Sequence, residues 1–304
     1  MFKPEVTVVI CTYQRPDLLR QCLRGLREQT VATDYFRVLV VDNAGEAACA
    51  AVVAEFGASY VREPQTGLSH ARNRGWREVT TEWVFYLDDD GIPAPDMLAA
   101  FRDVVSRPGI SAVGGKFGHY FREAPPRWVY HYYSGEVCPS AATKLSVLGP
   151  EEYLLGGIMA FRTSLLRELG GFDTQLGMRG RAIGYGEENE LQDRIRASGK
   201  PIHYCPQIRM VHLVAASKCR VRQHLAMAYA HGAYPQKSTA PPPGLVRAGG
   251  LIIRSLLGSV PYDLARVLFK PNFYWQNGVI SSLGKATFTW GRYRAGRNSK
   301  MSAP

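Results

Sequence analysis

The strongest constraint on the fold is a regular alternation of short apolar runs and amphipathic segments over the first 90 residues. Residues 6–11, 37–41 and 83–87 are largely apolar runs rich in β-branched and aromatic side chains, which predicts strands buried on both faces. The intervening segments 17–28 and 68–78 are typical of helices, the first with apolar residues at helical spacing. The alternation therefore predicts an α/β domain in which helices cover both faces of a mostly parallel sheet.

The rest of the chain up to about residue 215 extends this domain. The whole chain has 304 residues, of which 46% are hydrophobic and 21% charged. This composition is typical of a globular protein and excludes a disordered one. The stretch 116–150 is expected to be irregular, and the six cysteines to be free thiols. The further predicted elements are helices at 47–56, 96–105, 164–169 and 188–198, and strands at 59–62, 112–115, 156–161, 202–205 and 208–212.

The net charge of +11 belongs to the C-terminal part of the chain. From Ala215 onwards there are 13 Lys and Arg against one acid, Asp263, whereas the first 214 residues carry 24 basic and 25 acidic side chains. The two parts therefore need separate explanations. We predict a catalytic domain over 1–220 and a basic helical tail over 221–304.

Polar residues stand at the ends of three predicted strands. Thr12 and Asp42 follow two of them, and Asp88, Asp89 and Asp90 follow the third. In open parallel sheets, ligands bind beyond these carboxyl ends, so we expect the side chains to share one crevice. Three adjacent carboxylates repel one another unless a cation such as Mg²⁺ or Mn²⁺ binds between them. The alternatives are a solvated acidic turn for the aspartates and a turn cap for Asp42.

Other polar residues offer weaker signals when taken singly. Glu187 and Glu188 follow a Gly-Tyr-Gly segment and open a helix, so they are candidates for a general base or simply acids favoured in a first turn. Arg72 and Arg74 could face a diphosphate or lie on an exposed helical face. His212, at a strand end, is a possible third metal ligand or a structural histidine.

Taken together, these motifs resemble glycosyltransferase family 2, which has the Rossmann-like GT-A fold. The similarity covers residues 5 to about 215, and the motifs stand in the family's order. The basic tail and the segment 124–128 are similar to bacterial exopolysaccharide transferases of the succinoglycan type. The segments that carry the resemblance are VTVVICTYQRPDLLRQCLRGLREQT (6–30), VLVVDN (38–43), GLSHARNRG (67–75), WVFYLDDDGIP (83–93), GGIMAFRTSLLRELGGFD (156–173), GEENEL (186–191) and VH (211–212).

The resemblance implies a role for each matching position. It divides the catalytic domain into a nucleotide-sugar-binding half, 1–115, and an acceptor-binding half, 116–220. Because the second acid of the family's Glu-Asp motif is here a Glu, the resemblance leaves open which glutamate is the base. The implied residues are Glu188 or Glu187 for catalysis; Thr12, Tyr13, Arg15, Asp42, Arg72, Asp88 and Asp89 for the donor; Gly156, Gly157 and Trp128 for the acceptor; and Asp90, Asp88 and His212 for the metal.

The resemblance also implies the reaction. We expect an inverting transfer of a sugar from a nucleotide-linked donor, with UDP favoured as the nucleotide, to a saccharide or lipid-linked acceptor, with Mn²⁺ or Mg²⁺ as cofactor. The product would belong to cell-surface or exopolysaccharide synthesis. One alternative is a sugar-phosphate nucleotidyltransferase, which would release pyrophosphate. Another is a nucleic-acid-binding protein acting through the basic tail, although the acidic crevice argues against a nucleic-acid partner.

The tail combines apolar, aromatic and basic residues with almost no acids. Apolar residues at helical spacing predict a helix from 244 that ends at Pro261, with a further apolar and basic segment over 262–270. Such a composition suits a helix lying in an anionic membrane interface. With no signal-like N-terminus, we expect a cytoplasmic protein bound to the inner face of the cell membrane. The alternative is an appendage packed on the catalytic domain.

Overall fold

The computed structural model describes residues 5–234 and 241–301, with side chains described up to residue 297. The described chain forms two compact units. The first comprises residues 5–120, 135–181 and 187–213, and the second comprises residues 121–134, 182–186 and 214–301 without the gap. The predicted segments 1–115, 116–220 and 221–304 are functional assignments, and they stay predictions.

The first unit is built on one nine-stranded sheet of mixed but mostly parallel pairing. Its strands are β1 (Val6–Thr12), β2 (Phe36–Asp42), β3 (Ser59–Arg62), β4 (Trp83–Leu87), β5 (Gly91–Pro93), β6 (Ala112–Tyr120), β7 (Ser146–Val147), β8 (Ile158–Arg162) and β9 (His203–Leu213). They are ordered β3-β2-β1-β4-β8-β6-β9-β5, with β7 beside β9. The first four in this order pair in parallel, as do β6 and β9, whereas β8 runs antiparallel between β4 and β6.

Ten α-helices are present in the part of the chain that the structure describes. Those of the first unit begin and end close to the predicted positions, and α3 and the strands β3 and β4 match the predicted bounds. The helices are α1 (Pro16–Arg27), α2 (Ala47–Glu55), α3 (Leu68–Glu78), α4 (Met97–Val105), α5 (Tyr130–Tyr133), α6 (Thr163–Leu169), α7 (Glu187–Ala197), α8 (Val221–Ala233), α9 (Leu245–Phe269) and α10 (Trp275–Met301).

The core of the first unit lies on both faces of the sheet. Successive residues of a strand point to opposite faces, so Val8 packs with Leu23 and Phe101 on one side while Val9 packs with Trp76 on the other. Burying each of these large side chains contributes about 1.5–3 kcal/mol. The two-sided burial confirms the prediction of a sheet covered by helices on both faces.

Two predictions about strands in the first unit were wrong. The strand predicted at 112–115 continues to Tyr120, so the first residues of the supposedly irregular stretch are β6. The two strands predicted at 202–205 and 208–212 are the single strand β9. The register between β6 and β9 shifts at Gly115, where a side chain would collide with the Ile208 carbonyl. A bulge therefore keeps the strands paired across an irregularity that the sequence pattern suggested was a break.

The second unit is helical. Its core holds Trp128, Val129 and Ile280, and the buried amide of Asn277 donates to the Trp128 carbonyl at 2.9 Å. None of the described helices is both long enough and apolar enough to cross a membrane.

The prediction that Pro261 ends the first tail helix was wrong, because α9 continues through it to Phe269. A proline inside a helix removes one backbone hydrogen bond and strains the preceding turn. Here the lost bond is offset by contacts just beyond it: buried Asp263 accepts from Arg266 at 3.0 Å and from Ser282 of α10 at 2.9 Å. Tertiary contacts thus hold together a helix that local sequence signals divide in two.

Candidate active site

The aspartate run lies at the carboxyl ends of β1 and β4, which pair in parallel. The hydroxyl of Thr12 donates to Asp89 at 2.8 Å, and Arg15 Nη1 lies 3.2 Å from Asp89 and 3.4 Å from Asp90. Burial and the neighbouring carboxylates Asp90 and Asp88 raise the pKa of Asp89 to about 7, against the opposing effect of Arg15. The ends of β1 and β4 therefore bring their polar side chains together.

His212, near the end of β9, faces the same aspartates. Its Nε2 lies 3.0 Å from Asp90 Oδ1 and 3.7 Å from Asp88 Oδ2. Burial alone would lower the pKa of His212, but its hydrogen bonds to the two aspartates outweigh burial and raise the pKa to about 9. In turn His212 and Arg72 hold the pKa of Asp88 below its usual value despite burial.

Asp88, Asp90 and His212 fit a divalent cation. Their ligand atoms all lie within 4.8 Å of one another, close enough for one ion to contact all three. His212 Nδ1 lies 3.0 Å from the Leu213 carbonyl, so a neutral imidazole that donates there presents Nε2 to the ion. Two carboxylates supply the oxygen ligands that Mg²⁺ and Mn²⁺ take, and the imidazole adds one nitrogen ligand.

Arg72 connects the aspartate run to the glutamate pair. It is a buried residue of α3, with Nη1 at 2.8 Å from Glu187 Oε1, Nη2 at 2.9 Å from the Gly156 carbonyl and 3.8 Å from Asp88. Arg74, two residues later, lies at the surface and pairs with Glu78 on the same helix. The structure thus separates the two arginines: Arg72 belongs to the site, and Arg74 to the exposed face of α3.

The two glutamates at the start of α7 are in different electrostatic situations. Oε1 of Glu187 is paired with Arg72, and the buried Oε2 atom of each glutamate has no hydrogen-bond partner among the described residues. Burial and the adjacent negative charge of Glu187 raise the pKa of Glu188 to about 8. A carboxylate in this state holds its proton near neutral pH, which is the property a general base needs after it accepts one.

Gly156 and Gly157 border both groups of carboxylates. A Cβ at position 157 would lie 2.5 Å from Asp88 Oδ2, and one at position 156 would lie 3.2 Å from Arg72 and 3.5 Å from the Glu188 carboxyl carbon. At Gly157 the backbone therefore approaches Asp88 more closely than a residue with a side chain would allow.

Asp42, at the end of β2, caps the turn that follows it. The fully buried carboxylate accepts hydrogen bonds at 2.7–2.9 Å from the backbone N–H groups of Ala44, Gly45 and Glu46 and from the Tyr60 hydroxyl. Four donors occupy the four lone-pair positions of a carboxylate. A nucleobase would have to replace one of them, and base binding by Asp42 stays a prediction.

Two other predicted site residues lie in different surroundings. Tyr13 is half-buried beside Gly180, where a Cβ would lie 3.3 Å from the tyrosine hydroxyl. Trp128 is a buried residue of the second unit and contacts the rings of Tyr132 and His224. Their roles in donor and acceptor binding stay predictions.

The sequence analysis missed the buried amides that position the site. Asn73 donates to the Phe172 carbonyl at 2.7 Å and accepts from the Phe172 N–H at 2.8 Å, which fixes the part of α3 that carries Arg72. Gln192 fixes the start of α7 in the same way, since it donates to the Glu188 carbonyl at 3.1 Å. It also accepts a hydrogen bond from the Leu154 N–H at 2.7 Å and donates to the Leu154 carbonyl at 3.2 Å. Asn73 stands between two arginines and Gln192 between a leucine and an aspartate, so no local pattern distinguishes them from exposed amides.

The chain is similar in sequence to curated proteins of polysaccharide synthesis and glycosyl transfer. The chain is similar to the succinoglycan biosynthesis protein ExoM of Rhizobium meliloti, with 30% identity over 41% of this chain and 42% of the relative. It is also similar to the glycosyltransferase AglE of Haloferax volcanii, with 28% identity over 37% of this chain and 39% of the relative. The chain thus spans about two fifths of the length of these two relatives.

Comparison with solved structures supports the fold. The mannosyltransferase PcManGT from Pyrobaculum calidifontis, solved in complex with GDP-Man and Mn²⁺, superposes with a TM-score of 0.60 at 22% identity, covering 94% of this chain and 87% of that one. TarS 1–349 of S. aureus gives a TM-score of 0.54 at 13% identity, covering 98% and 92%. Both likenesses support the GT-A architecture predicted for this chain.

The family profile described as Glycosyl transferase family 2 matches residues 7–170, which is 164 of the 304 residues. The matched span contains β1 from its second residue, β2 and β4, the aspartate run and both glycines at the site. The chain belongs to glycosyl transferase family 2.

Proposed function

We propose that this protein transfers a sugar from a nucleotide-sugar donor to a hydroxyl group of a saccharide or lipid-linked saccharide, with inversion at the anomeric carbon. The observation that carries the proposal is the pairing of two sites: a three-residue cation site, and a glutamate, Glu188, with an unpartnered carboxylate oxygen. Family membership and the relatives named for succinoglycan synthesis and for glucosyl-dolichyl phosphate glucuronosyl transfer support this class of reaction.

The donor diphosphate is assigned to the aspartate run. A Mn²⁺ or Mg²⁺ ion at Asp88, Asp90 and His212, when bound, supplies positive charge to the leaving nucleoside diphosphate. Arg15 and Thr12 hold Asp89 so that the run keeps one orientation. The nucleoside and the neighbouring groups of the donor are assigned to Tyr13, Asp42 and Arg72. A UDP-linked sugar is the first candidate for the donor.

Glu188 is assigned as the general base. Its Oε2 accepts the proton of the acceptor hydroxyl as that oxygen forms a bond to the anomeric carbon and the bond to the diphosphate breaks. Glu187 is engaged by Arg72 at 2.8 Å and keeps a negative charge beside Glu188, which favours proton uptake by Glu188. Gly156 and Gly157 border this glutamate and are assigned to the acceptor side, together with Trp128. One displacement of this kind inverts the configuration.

The donor can be identified by thermal-shift screening of UDP-, GDP- and dTDP-sugars, each with and without Mn²⁺. A ligand present at about 100 times its Kd stabilises the folded protein by about 2.7 kcal/mol, so the correct donor should stand out and should require the cation. GDP-mannose belongs in the screen because PcManGT binds it.

The reaction products distinguish glycosyl transfer from nucleotidyl transfer. Glycosyl transfer releases a nucleoside diphosphate and, from an α-linked donor, gives a β-glycoside detectable by the anomeric proton coupling in NMR. Release of pyrophosphate would instead establish a nucleotidyltransferase. An α-glycoside from an α-linked donor would contradict the inverting mechanism while leaving glycosyl transfer intact.

We further propose that the basic tail docks the enzyme on an anionic membrane surface at the inner face of the cell membrane. Support comes from the +12 charge of residues 215–304 and from the exposed apolar side chains of α9. Charge attraction and burial of apolar area act together at such an interface.

A further inference from the structure

Helix α9 exposes a continuous apolar stripe to solvent. Six side chains, each 46–90% exposed, recur at spacings of three, four or seven residues. At 3.6 residues per turn they fall within an arc of about 80°, so they form one line along the helix. The six, which we call the α9 stripe, are Val246, Ile253, Leu257, Val260, Leu264 and Leu268.

A polar cavity of about 590 Å³ lies between α9 and α10, on the side of α9 away from the stripe. Three cationic side chains, Arg254, Arg266 and Lys285, line it together with hydroxyl groups that include Ser255. The one acid in the lining, Asp263, is buried and already bonded to Arg266 and Ser282. The lining therefore carries a net charge of +2, from three cations and one carboxylate.

Of the other donors in the lining, the hydroxyls of Ser259 and Thr289 donate to backbone carbonyls of their own helices, and three further groups are unengaged in the described part of the chain. Arg254 and Lys285 make no ion pair with any described carboxylate, and the buried hydroxyl oxygen of Ser255 has no hydrogen-bond partner among the described residues. A guanidinium, an ammonium and a hydroxyl in one concave surface match the charge and the acceptor oxygens of a phosphate group.

We propose that this cavity binds the phosphate headgroup of a membrane lipid while the α9 stripe enters the apolar layer beneath it. The inference deepens the proposed membrane docking of the tail, and it does not depend on glycosyl transfer. Arg254 lies about 80° from the centre of the stripe, at the border between the apolar line and the cavity. A cation in that position reaches the headgroup layer when the stripe is immersed, which favours a lipid phosphate over a free one.

The test uses the full chain and two kinds of vesicle, both made mainly of uncharged digalactosyl diacylglycerol. One kind contains phosphatidylglycerol, which supplies phosphate groups, and the other contains cholesteryl hemisuccinate, which supplies carboxylates. The two kinds carry the same surface charge. Partition coefficients are measured by co-sedimentation for wild type, Arg254→Gln and the control Arg247→Gln. Arg247 is an exposed arginine on the same helix outside the cavity, so both changes remove the same charge.

We expect Arg247→Gln to weaken binding about 5-fold on both kinds of vesicle, as for any basic residue near an anionic surface. Arg254→Gln should weaken it about 5-fold on carboxylate vesicles but about 30-fold on phosphatidylglycerol, because charge-assisted hydrogen bonds to phosphate are lost as well. Ser255→Ala should weaken binding about 3-fold on phosphatidylglycerol vesicles and leave binding to carboxylate vesicles unchanged. Leu257→Glu should weaken binding to both kinds of vesicle. Circular dichroism and thermal midpoints establish that each variant is folded.

Equal losses for Arg254→Gln and Arg247→Gln on phosphatidylglycerol would overturn the phosphate site. Stabilisation of the protein by inorganic phosphate without any vesicle binding would overturn the lipid assignment. A wild-type protein that binds neither vesicle would overturn both the cavity site and membrane docking. Sugar transfer assayed on the same preparation with a soluble acceptor reports separately on the proposed function.

Discussion

The site contains two groups of adjacent carboxylates that are compensated differently. The aspartate run after β4 has three cationic side chains around it: Arg15, His212 and Arg72. The glutamate pair at the start of α7 has one, Arg72, and this arginine is bonded to Glu187. The comparison teaches that His212 and Arg72 hold the pKa of Asp88 below its usual value despite burial, whereas burial and the charge of Glu187 leave Glu188 with a high affinity for a proton.

The sharpest way to test this difference is to neutralise each glutamate in turn. We expect Glu188→Gln to lower kcat by at least about 10³-fold, since it removes the proton acceptor. Donor affinity should remain near that of wild type because Glu188 is not assigned to the donor. The measurements are steady-state transfer rates and donor Kd by calorimetry. Near wild-type kcat in a folded Glu188→Gln protein would remove Glu188 as the base.

Glu187→Gln is the matched control for that experiment. It removes the same charge from the adjacent position but leaves the proposed base in place, so we expect a smaller loss in kcat of about 10- to 100-fold. A larger loss of kcat in Glu187→Gln than in Glu188→Gln would identify Glu187 as the base instead of Glu188.

Removing the cation tests the other half of the comparison. Chelation by EDTA, or Asp90→Ala, should reduce transfer about 10²- to 10³-fold, and Mn²⁺ should restore the chelated wild type. His212→Ala should bind Mn²⁺ about 10- to 100-fold more weakly in calorimetry, because one of three ligands is lost. Undiminished transfer after exhaustive chelation would mean that the aspartate run does not act through a metal ion.

These two regions also differ in how far the sequence could predict them. Thr12 and the aspartates follow recognisable buried strands, and parallel pairing of β1 with β4 brings their ends together. The partnership of Arg72 with Glu187 joins positions 115 residues apart, and no local pattern specifies it. The same limit explains α9, whose continuity through Pro261 depends on contacts with α10.

The pKa of Glu188 predicts the pH dependence of the reaction. The groups that face its carboxylate are Glu187 and Arg72. A base with a pKa raised to about 8 is protonated at lower pH, so kcat/KM should fall about tenfold per pH unit below that value and level off above it. In Glu187→Gln the neighbouring negative charge is lost, so the pKa of Glu188 should be lower. The increase of kcat/KM with pH should therefore occur at lower pH. A profile flat between neutral and alkaline pH would contradict the raised pKa.

The smallest effect expected is on the stability of the ligand-free protein, and here the two glutamates should differ in sign. The pKa of Glu188 is higher in the folded protein, about 8, than its ordinary value of 4.5, so its ionisation destabilises the fold as the pH rises between those values. At pH about 8 or above, Glu188→Gln should therefore stabilise the protein by about 1–2 kcal/mol, or roughly 2–8 °C in Tm, and the gain should shrink on acidification.

Glu187→Gln should instead destabilise the protein by about 3 kcal/mol, because it leaves the buried Arg72 without its closest carboxylate. Thermal unfolding of both variants at several pH values distinguishes these outcomes. Destabilisation of the same size in both would mean that Glu188, like Glu187, serves chiefly to hold the site together.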